Sequence, residues 1–358
     1  MATEYRIAIA GASSLLAKEL KECLTESPLA AANFVLLDEK DAQGQLEQVG
    51  DEVTVVQTIG DGSFEEIDFT FFAGTEEMTR KYWRKALSAG STVLDMTGAL
   101  DEEPGVLVRA PWVGDSVRLP DLLTKAVVPA NAASLALALM MDRLQEIAEI
   151  RFAAATVLQP ASEYGKEALD ELHQQTVSLL SFQNMPRAVF DTQVAYNTLA
   201  SFGESAAVSL TKAEERIRRH YAILAGDRLP DLRLQVLHAP VFHGHTFSIC
   251  IELERAVPLA SIEDAMGGEH LDLVLEETDS PSNLAAAGAE RCAGLVEAGA
   301  AGGAVEWGDE PVLDLGGERQ SAALGTECCG VRAGYAAVAA FGQGSVGLSP
   351  FSRNYKER

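Results

Sequence analysis

The segment Val127-Val128-Pro129-Ala130-Asn131-Ala132-Ala133-Ser134 comes nearer than any other to a catalytic turn. A short apolar run ends in Pro129-Ala130-Asn131, and the strongly helical Leu135-Ala136-Leu137-Ala138-Leu139-Met140-Met141 follows at once. Strand, tight turn and helix in this order present a reactive atom at the carboxyl end of a sheet, on a helix N-terminus that favours negative charge. A reactive atom presented at such a point needs an electron pair with which to attack. Ala132, directly after the turn, offers only a methyl group. Ser134 is the nearest hydroxyl, but two residues along a helix it faces another way.

Two further places could carry chemistry. His245, in Pro240-Val241-Phe242-His243-Gly244-His245, has a side chain that titrates near neutral pH and suits proton transfer, with His243 a bystander. Near the N-terminus, a strand over residues 5–10 runs into Gly11-Ala12-Ser13-Ser14-Leu15, the kind of turn on which a pyrophosphate rests against backbone N–H groups. The full fingerprint wants glycine at the tight turn, at the phosphate approach and at the helix–strand packing position. Only Gly11 is present, with Ser14 and Ala17 at the other two places. Ala17 still allows close packing, whereas Ser14 adds a side chain where the backbone should approach phosphate and resists a positive φ. Two readings stay open, a working dinucleotide site and a Rossmann-type turn that no longer holds its ligand tightly. Asp38 ends the second strand, either receiving ribose hydroxyls or standing as an exposed acid. A carboxylate there repels a 2′-phosphate, so NAD is favoured over NADP.

The elements that must position these groups follow from apolar patterning. Short buried-type strands at Phe34–Leu37, Thr54–Val56, Phe69–Ala73 and Thr92–Asp95 alternate with helical stretches, notably Glu76–Ala89. That alternation predicts an α/β fold, a doubly wound Rossmann-type parallel sheet. After Met141 the texture changes to long β-rich stretches at Arg151–Leu158 and Leu232–Leu253, with helices at Gly165–Ser181 and Leu210–Ala225 between them. These predict a second, α+β domain with a mixed or antiparallel sheet. Residues 286–304 read as partly helical and 334–342 as a closing helix. The expected division is 1–132 with 331–358 for the first domain and 133–330 for the second.

A chain of 358 residues, 47% apolar, fits two ordinary domains, and no stretch is long and apolar enough for a membrane span. The formal charge of −25 repels nucleic acid and anionic membrane surfaces, which need a basic footprint. Five cysteines without metal-ligand spacing, and no secretory pattern at the start, point to reduced thiols in the cytoplasm and to no metal.

Several of these segments resemble the aspartate-semialdehyde dehydrogenase family, in order and over nearly the whole chain. The turn at 129–132 is similar to the family's Asn-Pro-Asn-Cys, which puts Asn131 on the Asn and Ala132 on the nucleophilic cysteine. Val157-Leu158-Gln159-Pro160-Ala161-Ser162-Glu163-Tyr164-Gly165 looks like Thr-Tyr-Gln-Ala-Val-Ser-Gly-Ala-Gly, which puts Gln159 on the glutamine that orients substrate. Pro240-Val241-x-x-Gly244-His245 matches Arg-Val-Pro-Val-x-x-Gly-His and puts His245 on the general acid/base. Departures surround these matches. The substrate-clamping arginine is His238, and a neutral imidazole cannot replace its bidentate fork. The phosphate-binding arginine becomes Asp101 or is lost, and the family's Pro-Glu-Val-Asn reads Pro111-Trp112-Val113-Gly114. Near the end, Arg332 and Gly334 keep an Arg-x-Gly pattern without its lysine.

The resemblance implies a homodimer formed through the second domain, a place in amino-acid biosynthesis for working members, and NAD or NADP held at Gly11, Ala12, Ser13, Ser14, Leu15 and Asp38. For this chain it implies a pseudoenzyme of the branch lacking the active-site cysteine, with a binding or regulatory role and a small-molecule ligand. The alternative is an NAD(P)-dependent oxidoreductase acting on a carbonyl with His245 as acid/base. A third reading, true semialdehyde dehydrogenase activity, needs a thiol brought in by folding, such as Cys329.

Overall fold

The computed structural model describes residues 5–39, 42–50, 52–110, 112–113, 124–268, 270–273, 292–298 and 321–328. The chain divides into two compact units, the first built mainly on Met1–Pro111 with Lys125–Val127 and the second on Val128–Ala333.

In the first unit the order is β1 (Arg6–Ala10), α1 (Leu15–Thr25), β2 (Asn33–Asp38), β3 (Leu46–Val49), β4 (Glu52–Val55), β5 (Gln57–Thr58), β6 (Phe69–Phe72), α2 (Glu76–Ser88), β7 (Thr92–Asp95), β8 (Leu107–Arg109) and β9 (Ala126–Pro129). A seven-stranded sheet runs β5-β2-β1-β6-β7-β9-β8. The pairs β5/β2, β2/β1, β1/β6, β6/β7 and β7/β9 are all parallel. Ile7 to Ala10 are all fully buried, as strands covered on both faces require. From β1 the chain moves outward to β2 and later returns to β6 on the other side, so the topological switch point lies between the carboxyl ends of β1 and β6. One expected strand does not join this sheet. Thr54 and Val55 belong to β4, which among the described residues pairs with β3 alone, in a separate hairpin. Val53 and Val55 are exposed there, and a strand with polar alternates has no two apolar faces to bury in a central position.

Gly11 makes the switch point tight. Its φ is +87°, and a Cβ on it would lie 2.2 Å from the Cα of Gly74 in the loop after β6. The backbones of the two loops are thus in contact, which only glycine allows.

The second unit contains α3 (Ala132–Ile147), β10 (Ile150–Gln159), a 3-10 turn over Ala161–Tyr164, α4 (Lys166–Leu180), α5 (Leu210–Ala225), β11 (Leu232–His238), β12 (His245–Leu253), α6 (Leu259–Met266), β13 (Leu271–Leu273), β14 (Cys292–Ala298) and β15 (Ser321–Cys328). The sheet order is β11-β10-β12-β15-β14-β13. Parallel pairs at β10/β11 and β13/β14 with antiparallel pairs between them make it mixed. The Ala/Gly-rich stretch expected to be partly helical contains β14. Pairing with strands on both sides outweighs the weak helix preference of a segment carrying Gly294. The closing helix expected at 334–342, Cys329 and the 330–334 segment lie outside the described residues.

The segment from 182 to 208 has no helix or strand and is pinned by one face of α4. The Glu171 carboxylate accepts the Val189 N–H at 2.6 Å and the Phe190 N–H at 3.2 Å. One turn on, the Gln175 side chain accepts from the Val194 and Ala195 N–H groups and donates to the Pro186 and Thr192 carbonyls. Among the described residues no helix is long and apolar enough to cross a membrane.

Replacing Gly11 by Ala should destabilise the protein by about 3 kcal/mol or more in denaturant titration, because the new methyl meets backbone and cannot relax. An effect below about 0.5 kcal/mol would mean that the two loops separate freely.

Candidate functional site

In the first unit, the turn after β1 is held by its own side chains. Ser14 is extended (φ −73°, ψ 159°) and caps α1, so the strain expected of a residue replacing glycine does not arise. Its Oγ accepts the Ala17 N–H at 2.9 Å and donates to the Ala73 carbonyl at 2.6 Å. Asp38 is 6% exposed, which corrects the reading of an exposed acid. Its Oδ2 accepts both the N–H (2.9 Å) and the Oγ–H (2.6 Å) of Ser13, and Oδ1 accepts the Glu39 N–H at 2.8 Å. Ala12 is buried, and its carbonyl accepts from the buried Lys21 ammonium, which also pairs with Glu47 at 2.6 Å. Leu15 begins the helix. At the end of β7, the Asp95 carboxylate accepts from Thr97 and the Leu100 N–H. Burial raises its pKa and these hydrogen bonds partly oppose the rise.

In the second unit the predicted site residues fall into two groups. At the start of α3, the Asn131 side-chain oxygen accepts the N–H groups of Ala133 (3.0 Å) and Ser134 (3.4 Å), a side-chain cap on the first helical turn. Its own N–H donates to Nδ1 of the buried His220 at 2.9 Å. Ala132 is the first helical residue. Ser134 is fully buried and donates to the Ile217 carbonyl of α5 at 2.9 Å, so its hydroxyl is committed away from the turn as expected.

The other group is a lateral row across the sheet. Gln159 pairs with His238 on β11, and one step beyond the last ladder pair with β12 it stands opposite His245. Side chains level with one another on adjacent strands share a face, so β11, β10 and β12 present His238, Gln159 and His245 side by side. All three are at most 2% exposed. Gln159 accepts from the Tyr164 hydroxyl at 3.0 Å. Burial and the Glu163 carboxylate push the Tyr164 pKa up, so its hydroxyl stays protonated and remains a donor. The His238 ring lies among Phe190 (5.1 Å), Phe202 (5.3 Å) and Tyr164 (6.3 Å between ring centres). Among the described residues neither of its nitrogens has a hydrogen-bond partner, and desolvation lowers its pKa to about 4. His245 is also lowered by desolvation, opposed by Glu163 with an Oε1 3.7 Å from Nε2. His243 is exposed. On the far side, the register of β15 puts Cys328 opposite His245. Of the thiols whose burial is defined, Cys23 lies buried in α1 and Cys250 is exposed on β12. Within the row the two imidazoles take a proton only at a desolvation cost, and the Gln159 amide stays neutral.

A family model described as the semialdehyde dehydrogenase NAD binding domain matches residues 6–127, and the semialdehyde dehydrogenase dimerisation domain matches residues 141–294. The chain belongs to the semialdehyde dehydrogenase family. In this family the seven-stranded unit corresponds to the NAD binding domain, and the mixed sheet falls largely within the dimerisation domain. Among its relatives, a USG-1 protein homolog of Azotobacter vinelandii is 28% identical over 79% of this chain and 84% of that protein. An aspartate-semialdehyde dehydrogenase of Rickettsia bellii is 25% identical over 74% of this chain and 78% of that protein. The solved structure of a probable aspartate-semialdehyde dehydrogenase from Pseudomonas aeruginosa shares the fold at a TM-score of 0.78 and 24% identity, covering 94% of this chain and 96% of that one.

Sequence reasoning singled out His245, Gln159, Asn131 and the 11–15 turn but gave no role to Tyr164, Glu163 or His220. A signal for His220 exists: with Ile217 and Tyr221 it sits at i, i+3 and i+4 on the buried face of α5.

Because His238 is buried neutral, the unfolded chain binds more protons than the folded one between its ordinary pKa and about 4. Its contribution is therefore fully present above pH ~6.5 and is lost as pH falls toward 4, by up to about 3 kcal/mol. A His238→Phe variant should lose less stability than the wild type over that window in pH-dependent denaturation. Parallel curves would show that His238 is not the titrating group.

Proposed function

We propose that this chain is a member of the semialdehyde dehydrogenase family that does not carry out the dehydrogenase reaction, and that serves as a homodimeric binding or regulatory protein for a small-molecule ligand. The domain division proposed is 1–132 with 331–358, and 133–330. The observation that carries this reading is Ala132 at the head of α3. Acyl-enzyme formation requires an electron pair on that residue, and a methyl group has none. The neutral, aromatic-packed His238 supports the same reading, because it stands where resemblance puts an arginine for the substrate carboxylate and offers no fork.

The alternative, carbonyl oxidoreduction with His245 as acid/base, draws support from Gln159 and His245 standing one step beyond the β10/β12 ladder but asks a nearly fully buried imidazole to exchange protons with a substrate. Asp38 makes NADP the worse of the two nicotinamide dinucleotides for this chain, since a carboxylate repels its 2′-phosphate.

Purified protein supplied with aspartate semialdehyde, inorganic phosphate and NAD or NADP should form no NAD(P)H above background. Ala132→Cys alone should not restore turnover, because the carboxylate clamp is still missing. Phosphate-dependent reduction by the wild type at rates of working dehydrogenases (kcat of about 1 per second or more) would overturn the proposal and direct attention to Cys328, opposite His245.

A further inference from the structure

A dinucleotide held on a Rossmann turn depends on amide N–H groups of the loop and first helical turn that are free to point at the pyrophosphate. Here their partners can be followed one by one. The Gly11 and Ala12 N–H groups donate to the Leu37 carbonyl, at 2.8 and 3.2 Å. Ser13 N–H donates to Asp38 and Ser14 N–H to the Gly11 carbonyl. Ala17 N–H is taken by Ser14 Oγ and Lys18 N–H by the Ser14 carbonyl. Among the described residues, only the Leu15 and Leu16 amides of this turn carry no loop or side-chain acceptor.

The crevice that would take the phosphates is bridged as well. Ser14 lies after β1 and Ala73 after β6, on the two sides of the switch point, and the 2.6 Å hydrogen bond from the Ser14 hydroxyl to the Ala73 carbonyl crosses it. The Gly11 and Gly74 backbones also meet at this point. Charge points the same way. The Asp38 carboxylate is already on Ser13, and the Lys21 ammonium is buried and committed to Glu47 and the Ala12 carbonyl.

We infer that the first turn of this chain no longer receives the pyrophosphate of a nicotinamide dinucleotide, because Asp38 and the Ser14 hydroxyl take the Ser13 and Ala17 amides from within, the Ser14–Ala73 hydrogen bond spans the crevice, and only the Leu15 and Leu16 amides are left to meet a ligand. The residues present do not fit the group. This goes beyond the reading built on Ala132: a chain can lack a nucleophile and still hold cofactor, and a chain can lose cofactor with its thiol intact. The seven-stranded unit then serves as a scaffold.

Calorimetric and fluorescence titrations of NADH and NADPH test this without any turnover, so failure here and failure of the functional reading are separable. The wild type should show no saturable binding up to about 1 mM of either. Ser14→Gly removes the hydroxyl and the Cβ, and glycine is still an acceptable N-cap, so α1 keeps its start. That variant should gain measurable NADH binding, at least about tenfold tighter than the wild type, and more for NADH than for NADPH. Ser14→Ala, which frees the Ala17 N–H and the Ala73 carbonyl but leaves the methylene position filled, should fall between the two. Wild-type binding in the micromolar range would overturn the inference, whether or not the variants fold. Failure of both folded variants to gain binding would equally overturn the assignment of the block to Ser14.

Discussion

An α-helix begins with N–H groups that have no acceptor within the helix, and whatever satisfies them decides what that end of the helix can do. Two such ends stand at the places where this family's sequence pattern points to chemistry. At α1 the partner is Ser14 Oγ, and at α3 it is Asn131 Oδ1. The amides of the following residues are thereby given neutral internal oxygens, and less donor capacity is left for a phosphate or a developing oxyanion. Stability and ligand binding compete here for the same N–H groups. The side chains that win at α1 are fixed in turn by neighbours, Ser14 by Ala73 and Ser13 by Asp38.

The same economy governs the sheet of the second unit. His238, Gln159 and His245 form a row on three strands, each nearly fully buried. A buried imidazole avoids the cost of an unpaired charge by staying neutral, and His238 does so among three aromatic rings, with no hydrogen-bond partner for either nitrogen among the described residues. An arginine in the same surroundings would carry its charge into an apolar cluster containing Phe190, Val194 and Leu172. The aromatic packing therefore suits a neutral imidazole and would penalise a charged side chain in its place.

Much of this was legible in sequence. Apolar runs located β1, β2, β6 and β7 within a residue or two, because a strand covered on both faces needs an unbroken apolar stretch. The change of texture after Met141 announced the mixed sheet. What escaped were commitments between residues far apart in the chain. Nothing in the spacing of Asp38 and Ser13, 25 residues apart, says that one carboxylate oxygen takes both the N–H and the hydroxyl. Ser14 was legible as an intruder in a glycine position but not as a cap, since capping depends on where the helix starts. The row containing His245 emerges only when strand register is known, because a shift of one residue would send every second side chain to the other face.

The pinning of residues 186–195 by Glu171 and Gln175 has a consequence for how this surface can diverge. Both side chains bind main-chain groups, not the side chains of the segment they restrain. The identity of the exposed loop residues is thus immaterial to the restraint, whereas the carboxylate and the amide one helical turn apart are not. Such a wall tolerates rewriting of its outer lettering while its two bolts stay in place, so new surface recognition can arise there without disturbing the core behind it.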